Sequence, residues 1–175
     1  MRVGIVTVSD STFGVERQDT SGEAIAGWCA DRGYTVVQRE HVADETARIV
    51  PMLLSMCDGG AVDLVLTTGG TGLSPRDVTP EATLAVIERE AQGIAEYVRH
   101  VSVDGFPRAA LSRGVAGVRA STLIVNLPGS TSGVVESLVA LERIVDHAVD
   151  VLSGKVKRHF DAETAATAEK AGEKS

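Results

Sequence analysis

The sequence predicts a three-layer α/β/α fold with a mostly parallel central sheet, on three observations. Aliphatic runs such as Arg2–Val8 and residues 63–67 alternate with amphipathic stretches of helical length, the pattern of a sheet wrapped by helices. Hydrophobic residues make up 43% of the chain but aromatics only 3%, so the core draws on Val, Leu, Ile and Ala, as in strands covered on both faces. A length of 175 residues supports one domain with a sizeable core. Residues 1–158 are expected to form it. Residues 159–175, with almost no bulky apolar side chain, are expected to form a disordered tail.

The elements follow in order. Arg2–Val8 reads as a strand, residues 9–20 as a polar loop, and residues 21–32 as a helix. In that helix Ala24, Ile25, Trp28 and Cys29 recur at 3–4 spacing and Gly33 is the stop. Residues 34–42 alternate as a strand, and Asp44 is placed as N-cap of a helix running to Cys57, which Pro51 should kink or shorten. After the strand at 63–67 and a Gly-rich loop, Thr79 is expected as N-cap with Pro80 at the first helical position. Helices are expected over 80–91 and 94–103, broken near Gly93, with a short one over 107–113. Residues 115–120 and 122–126 read as strands, and 132–152 as one long amphipathic helix with His147 facing the core.

The loops carry the chemistry. Thr68-Gly69-Gly70-Thr71-Gly72 leaves a buried strand with a backbone that can approach a ligand closely and turn successive N–H groups toward a phosphate. It matches neither the Walker A loop nor the dinucleotide fingerprint, since Leu73-Ser74-Pro75 follows. Asn126-Leu127-Pro128-Gly129-Ser130 closes another strand before a helix; it offers N–H groups to an anion or is simply a Pro-Gly turn capped by Ser130 or Ser132. Asp44 and Asp77 are candidate Mg²⁺ ligands alongside substrate phosphates, or else a helix cap and a turn residue. Ser21 reads as a cap, whereas Asp19 beside it has no evident structural role. Ser112 and Arg113 offer a hydroxyl and a guanidinium suited to phosphate. If the strands run parallel, the loops at Ser9, Asp44, Thr68–Asp77 and Asn126–Ser130 meet at one edge of the sheet, where ligands of such folds bind.

A formal net charge of −7 argues against nucleic acid and membrane surfaces as partners. Cys29 and Cys57 lack metal spacing and read as buried thiols of a reducing compartment. No leader or membrane-spanning run is evident, which implies a cytoplasmic location. His41, His100, His147 and His159 form no metal or catalytic pattern.

The segments at 7–10, 19–22 (including Gly22), 67–72, 76–81, 111–113 and 126–130, in that order and spacing, resemble the molybdopterin adenylyltransferases of molybdenum-cofactor biosynthesis, the group that includes the G domain of gephyrin. The resemblance covers about residues 3–154. It implies Mg²⁺-dependent transfer of AMP from ATP to the terminal phosphate of molybdopterin, releasing pyrophosphate. It also implies catalytic and metal-binding roles for Asp44 and Asp77. The Gly-rich loop and the Asn126–Ser130 turn would line the nucleotide and pterin pocket, with Ser112 and Arg113 at or near it. A homotrimer, and a downstream protein that inserts molybdate, are further implications. Family members commonly carry Pro-Lys where this chain has Thr131-Ser132, and Pro-Gly-Phe where it has Gln92-Gly93-Ile94. The first departure keeps open a non-catalytic carrier of molybdopterin with the same fold.

Overall fold

The computed structural model describes residues 1–10 and 18–156. The expected tail at 159–175, its boundary at 158, His159 and most of the loop at 9–20 lie outside the described residues. Among the described residues one six-stranded sheet organises the chain, in the order β2-β1-β3-β6-β5-β4. Its strands are β1 (Arg2–Val8), β2 (Thr35–Val42), β3 (Leu64–Thr68), β4 (Arg89–Glu90), β5 (Ala116–Arg119) and β6 (Thr122–Leu127). β1 pairs in parallel with β2 and β3, and β3 with β6. β5 is antiparallel to β6 because only the turn at Ala120-Ser121 joins them, too short for a parallel crossover. Ala120 adopts φ 50° there.

Six α-helices among the described residues cover the two faces: α1 (Thr20–Asp31), α2 (Thr46–Asp58), α3 (Thr79–Leu84), α4 (Gln92–Gly105), α5 (Thr131–Leu141) and α6 (Val145–Leu152). Strand alternation divides the core between the layers. Val3, Ile5, Leu64, Leu66, Leu123 and Val125 face α1, α4, α5 and α6. Val6, Val8, Val65 and Ile124 face α2 and α3. Each such side chain, fully buried, contributes about 1.5–3 kcal/mol. The mostly parallel three-layer fold is the one expected.

Several elements differ from the sequence reading. Asp44 does not cap α2; Glu45 occupies that position without a side-chain bond. Pro51 lies inside α2 without shortening it, because burial of Ile49, Leu53, Met56 and Cys57 along one face outweighs the missing N–H. Thr79 and Pro80 each sit one place further into α3, whose N-cap is Val78. α3 ends at Leu84 rather than continuing to residue 91, since Glu88 and Ala91 donate their N–H groups to the carbonyls of Val118 and Ala116 and extend the sheet through β4. The short helix expected over 107–113 is a 3-10 turn over Pro107–Leu111. The helix expected over 132–152 is two: Arg143 and Ile144 form i→i−3 bonds to Ala140 and Leu141. The apolar stripe Leu141-Val145-Val149 continues across the break, so periodicity alone does not reveal it. His147 is exposed, not core-facing.

β2 and β3 flank β1 on opposite sides, so the crossovers diverge there and open a crevice beyond the carboxyl ends of β1 and β3.

Candidate active site

The Gly-rich loop fills this crevice. Gly69 adopts φ +99°, and a Cβ on it would stand 2.1 Å from the carbonyl oxygen of Val8, so only glycine fits between β1 and the turn after β6. Gly70, at φ +63°, leaves room for the Thr79 hydroxyl and the Asp44 carboxylate. Side chains hold the loop from all sides. The Thr79 hydroxyl donates to the Gly69 carbonyl at 2.9 Å, and that of Thr68 donates to the Pro128 carbonyl at 2.7 Å. Arg113 donates to the carbonyls of Gly72 (2.7 Å) and Asp77 (2.6 Å) and pairs with Glu81.

Two pockets flank the loop. The first, of about 330 Å³, lies between the loop, α4 and α5 and has an apolar wall that includes Ala95, Val98, Phe106 and Leu111. Thr71, Gly72, Ser112, Asn126, Pro128 and Ser130 also line it. The second, of about 590 Å³, is polar and acidic, bordered by Ser9, Asp10, Asp19, Ser21, Asp44, Thr68, Gly69 and Arg76. Gly70, Asp77 and Gly129 belong to both. Of the residues expected in the site, Gly22 and Arg113 line neither pocket.

Charge in the second pocket is arranged around Asp44. Burial, with the nearby Asp77 and Asp10 carboxylates, raises its pKa above the ordinary carboxylate value, against the opposing Val78 N–H bond and the Arg76 charge. Asp44 Oδ1 accepts from that N–H at 3.1 Å, and Asp77 Oδ2 from the N–H of Ser74 at 2.9 Å. Asp10 accepts from the Asp44 N–H and pairs with Arg76, which holds Asp10 below its ordinary pKa. Two neighbouring carboxylates, one of them disfavoured as an anion by burial and repulsion, form a donor set that a hard cation relieves.

Asp19 has the structural role that the sequence leaves unstated. It is the N-cap of α1, accepting from the Gly22 N–H at 2.8 Å, from the hydroxyls of Ser21 (3.1 Å) and Thr7 (2.9 Å), and from Arg39 at 2.8 Å. Burial pushes its pKa up, but Arg39 and these donors together hold it below the ordinary value. Ser21 is thus a donor to the cap rather than the cap itself. Gly22 has no room for a Cβ, which would stand 2.0 Å from Asp19 Oδ2. At the other end of the site Ser130 caps α5, accepting from the Gly133 N–H.

Asn126 is equally engaged. Its Nδ2 donates to the hydroxyls of Thr67 and Thr83, both at 2.9 Å, and its Oδ1 accepts from the Val115 N–H at 3.2 Å. One buried side chain thereby ties β6 to β3, α3 and the start of β5.

Asp10 and Arg76 were missed as site residues although both lie in segments that carry the family resemblance. Ser102, Ser137 and Glu136 were missed for want of any local signal. They enter the first pocket only because α4 packs against α5.

The chain is similar in sequence and fold to known proteins. Residues 4–152 match the family model described as a probable molybdopterin binding domain. Among curated relatives, the molybdopterin adenylyltransferase of Helicobacter pylori is 38% identical over 156 residues, covering 88% of this chain and 89% of that one. The molybdenum cofactor synthesis protein cinnamon of Drosophila melanogaster is 36% identical over 95% of this chain, which spans 28% of cinnamon's length. The crystal structure of the molybdopterin biosynthesis enzyme MoaB from Thermus thermophilus superposes with a TM-score of 0.83 at 50% identity, covering 87% of this chain and 96% of that one. Sequence and overall fold are thus shared with these proteins, and the chain belongs to the molybdopterin-binding domain family.

Proposed function

We propose that this protein is a molybdopterin adenylyltransferase, transferring AMP from ATP to the terminal phosphate of molybdopterin. The observation that carries the reading is that two pockets of different character share the wall formed by Gly70, Asp77 and Gly129. A flat ring suits the apolar first pocket and a nucleotide with its phosphates suits the polar second one, so the two phosphates would meet at the Gly-rich loop.

In the reaction, an oxygen of the pterin phosphate forms a bond to the α-phosphorus of ATP. The bond from that phosphorus to the bridging oxygen breaks, and pyrophosphate leaves. The chain's part is positioning and charge compensation. The Gly-rich loop, fixed by Arg113, Thr79 and Thr68, would offer backbone N–H groups to the phosphates without reorganising. Asp44 and Asp77 would hold Mg²⁺, which when bound supplies positive charge to the crowded phosphates. Two buried free thiols, Cys29 and Cys57, support a reducing, cytoplasmic setting. No described helix is long and apolar enough to cross a membrane. By family resemblance the enzyme acts as a homotrimer and passes its product to a molybdate-inserting protein.

Pyrophosphate release by the purified protein with molybdopterin, ATP and Mg²⁺ tests the reading. Release that requires the pterin and is lost in Asp77→Asn supports it. Pterin binding without release would leave a carrier, and would direct attention to Thr131. Its hydroxyl bonds that of Thr20 at 2.7 Å, where relatives commonly offer a basic neighbour.

A further inference from the structure

We propose that Asp10 is a positioning residue for the cation site, holding Asp44 in place through the backbone and keeping the Arg76 guanidinium off the Asp44 carboxylate. The inference rests on the proposed adenylyltransferase reading, in which Asp44 and Asp77 receive Mg²⁺.

Asp10 stands just past the end of β1, and its carboxylate joins the loops that follow β2 and β3. Its Oδ1 accepts from the Asp44 N–H at 3.0 Å. Its Oδ2 accepts from Arg76 Nε at 3.0 Å and pairs with Arg76 Nη2. The two partners use different oxygens, so neither displaces the other. The Asp44 carboxylate lies against Gly70, where a Cβ would stand 2.8 Å from both of its oxygens. Asp77 meets the same loop two residues on, its Oδ2 2.7 Å from where a Cβ of Gly72 would stand. Asp10, Asp44, Arg76 and Asp77 all border the polar pocket.

Arg76 needs a restraint of this kind. Its side chain is 66% exposed, so little packing fixes it. The carboxylates next within its field are Glu45 and Asp44. An arginine that reached Asp44 would occupy lone pairs that a cation needs and cancel the charge that attracts it. Held by Asp10, Arg76 leaves the Asp44 carboxylate to the Val78 N–H and to a cation. One carboxylate therefore does two jobs: Oδ1 sets the backbone from which Asp44 projects, and Oδ2 detains the competing charge.

The test is Mn²⁺ binding to the full chain without nucleotide, followed by loss of the free-ion signal in electron paramagnetic resonance. Asp10→Asn keeps an acceptor for the Asp44 N–H but releases Arg76, and is expected to weaken Mn²⁺ about threefold to fivefold. In an Arg76→Gln background the same change is expected to cost less than about twofold, because no guanidinium is left to release. Asp10→Ala, which also removes the acceptor, is expected to stay weak in both backgrounds. Asp44→Asn is expected to lose most of the affinity, which ties the signal to this site. Circular dichroism and Tm check that each variant is folded. Equal losses on Asp10→Asn in the two backgrounds overturn the restraint, since a charge acting only at a distance adds independently. A wild type that binds no Mn²⁺ overturns the cation site and this inference with it. Pterin-dependent pyrophosphate release, measured in parallel, decides the enzyme reading separately from either result.

Discussion

Replacing Asn126 with alanine tests whether this residue builds the site or merely lines it. Asn126 is 6% exposed and makes hydrogen bonds to Thr67, Thr83 and Val115. The partners Thr67 and Thr83 are fully buried, so water does not replace the lost amide. Three bonds at about 1 kcal/mol each, with part of the penalty for stranding their partners, give a loss of about 3–5 kcal/mol. Urea unfolding reads it directly. With an m-value of about 2 kcal/mol/M, the midpoint should fall by about 1.5–2.5 M at unchanged slope. Asn126→Asp, which keeps an acceptor for the Val115 N–H but loses both donors and buries a charge, should be no better. A midpoint shift below about 0.5 M in the alanine variant, with ligand affinity abolished, would refute the reasoning and make Asn126 chiefly a ligand contact.

Other expectations rest on different features. Gly69→Ala forces a Cβ to 2.1 Å from the Val8 carbonyl at φ +99°, so it should lower Tm and abolish pyrophosphate release. Gly27→Ala, at an open helical position in α1, should instead stabilise by about 0.5–1 kcal/mol; equal effects in a thermal melt would refute the steric argument. Asp44→Asn keeps an acceptor for the Val78 N–H and should leave Tm within a few degrees while cutting turnover about 100-fold or more. A variant of normal turnover would remove Asp44 from the chemistry. Burial pushes the Cys29 and Cys57 thiols from 9.0 up to about 11, so above pH 9 the unfolded chain releases protons that the folded chain keeps. Stability should therefore hold below about pH 9 and fall between about pH 9 and 11, by about 1.4 kcal/mol per pH unit for each thiol. The doubly substituted Cys29→Ala, Cys57→Ala protein should lose that slope, and an unchanged alkaline slope would contradict the assignment.

Much of this protein is written locally. The buried strands, the turn glycines of residues 69–72 and the convergence of loops at one sheet edge follow from residue type and order, because strand burial and left-handed backbone are properties of a few neighbouring residues. The parallel pairing that makes the loops converge needed only the alternation of strand and helix. Local pattern fails where a distant group competes for the same backbone. α3 stops short because the 88–91 segment finds partners on β5, and Pro51 is tolerated because α2 has a face to bury. Asp19 and Arg113 show the same limit among polar residues. Each carries a charge suited to a ligand, yet Thr7, Arg39 and Gly22 claim the first, and Gly72, Asp77 and Glu81 the second. Sequence determined which groups are available and roughly where they stand along the chain. Tertiary structure decided which of them the fold itself satisfies, as it does Asp19 and Arg113, because hydrogen-bond partners far apart in the chain meet only after the layers pack.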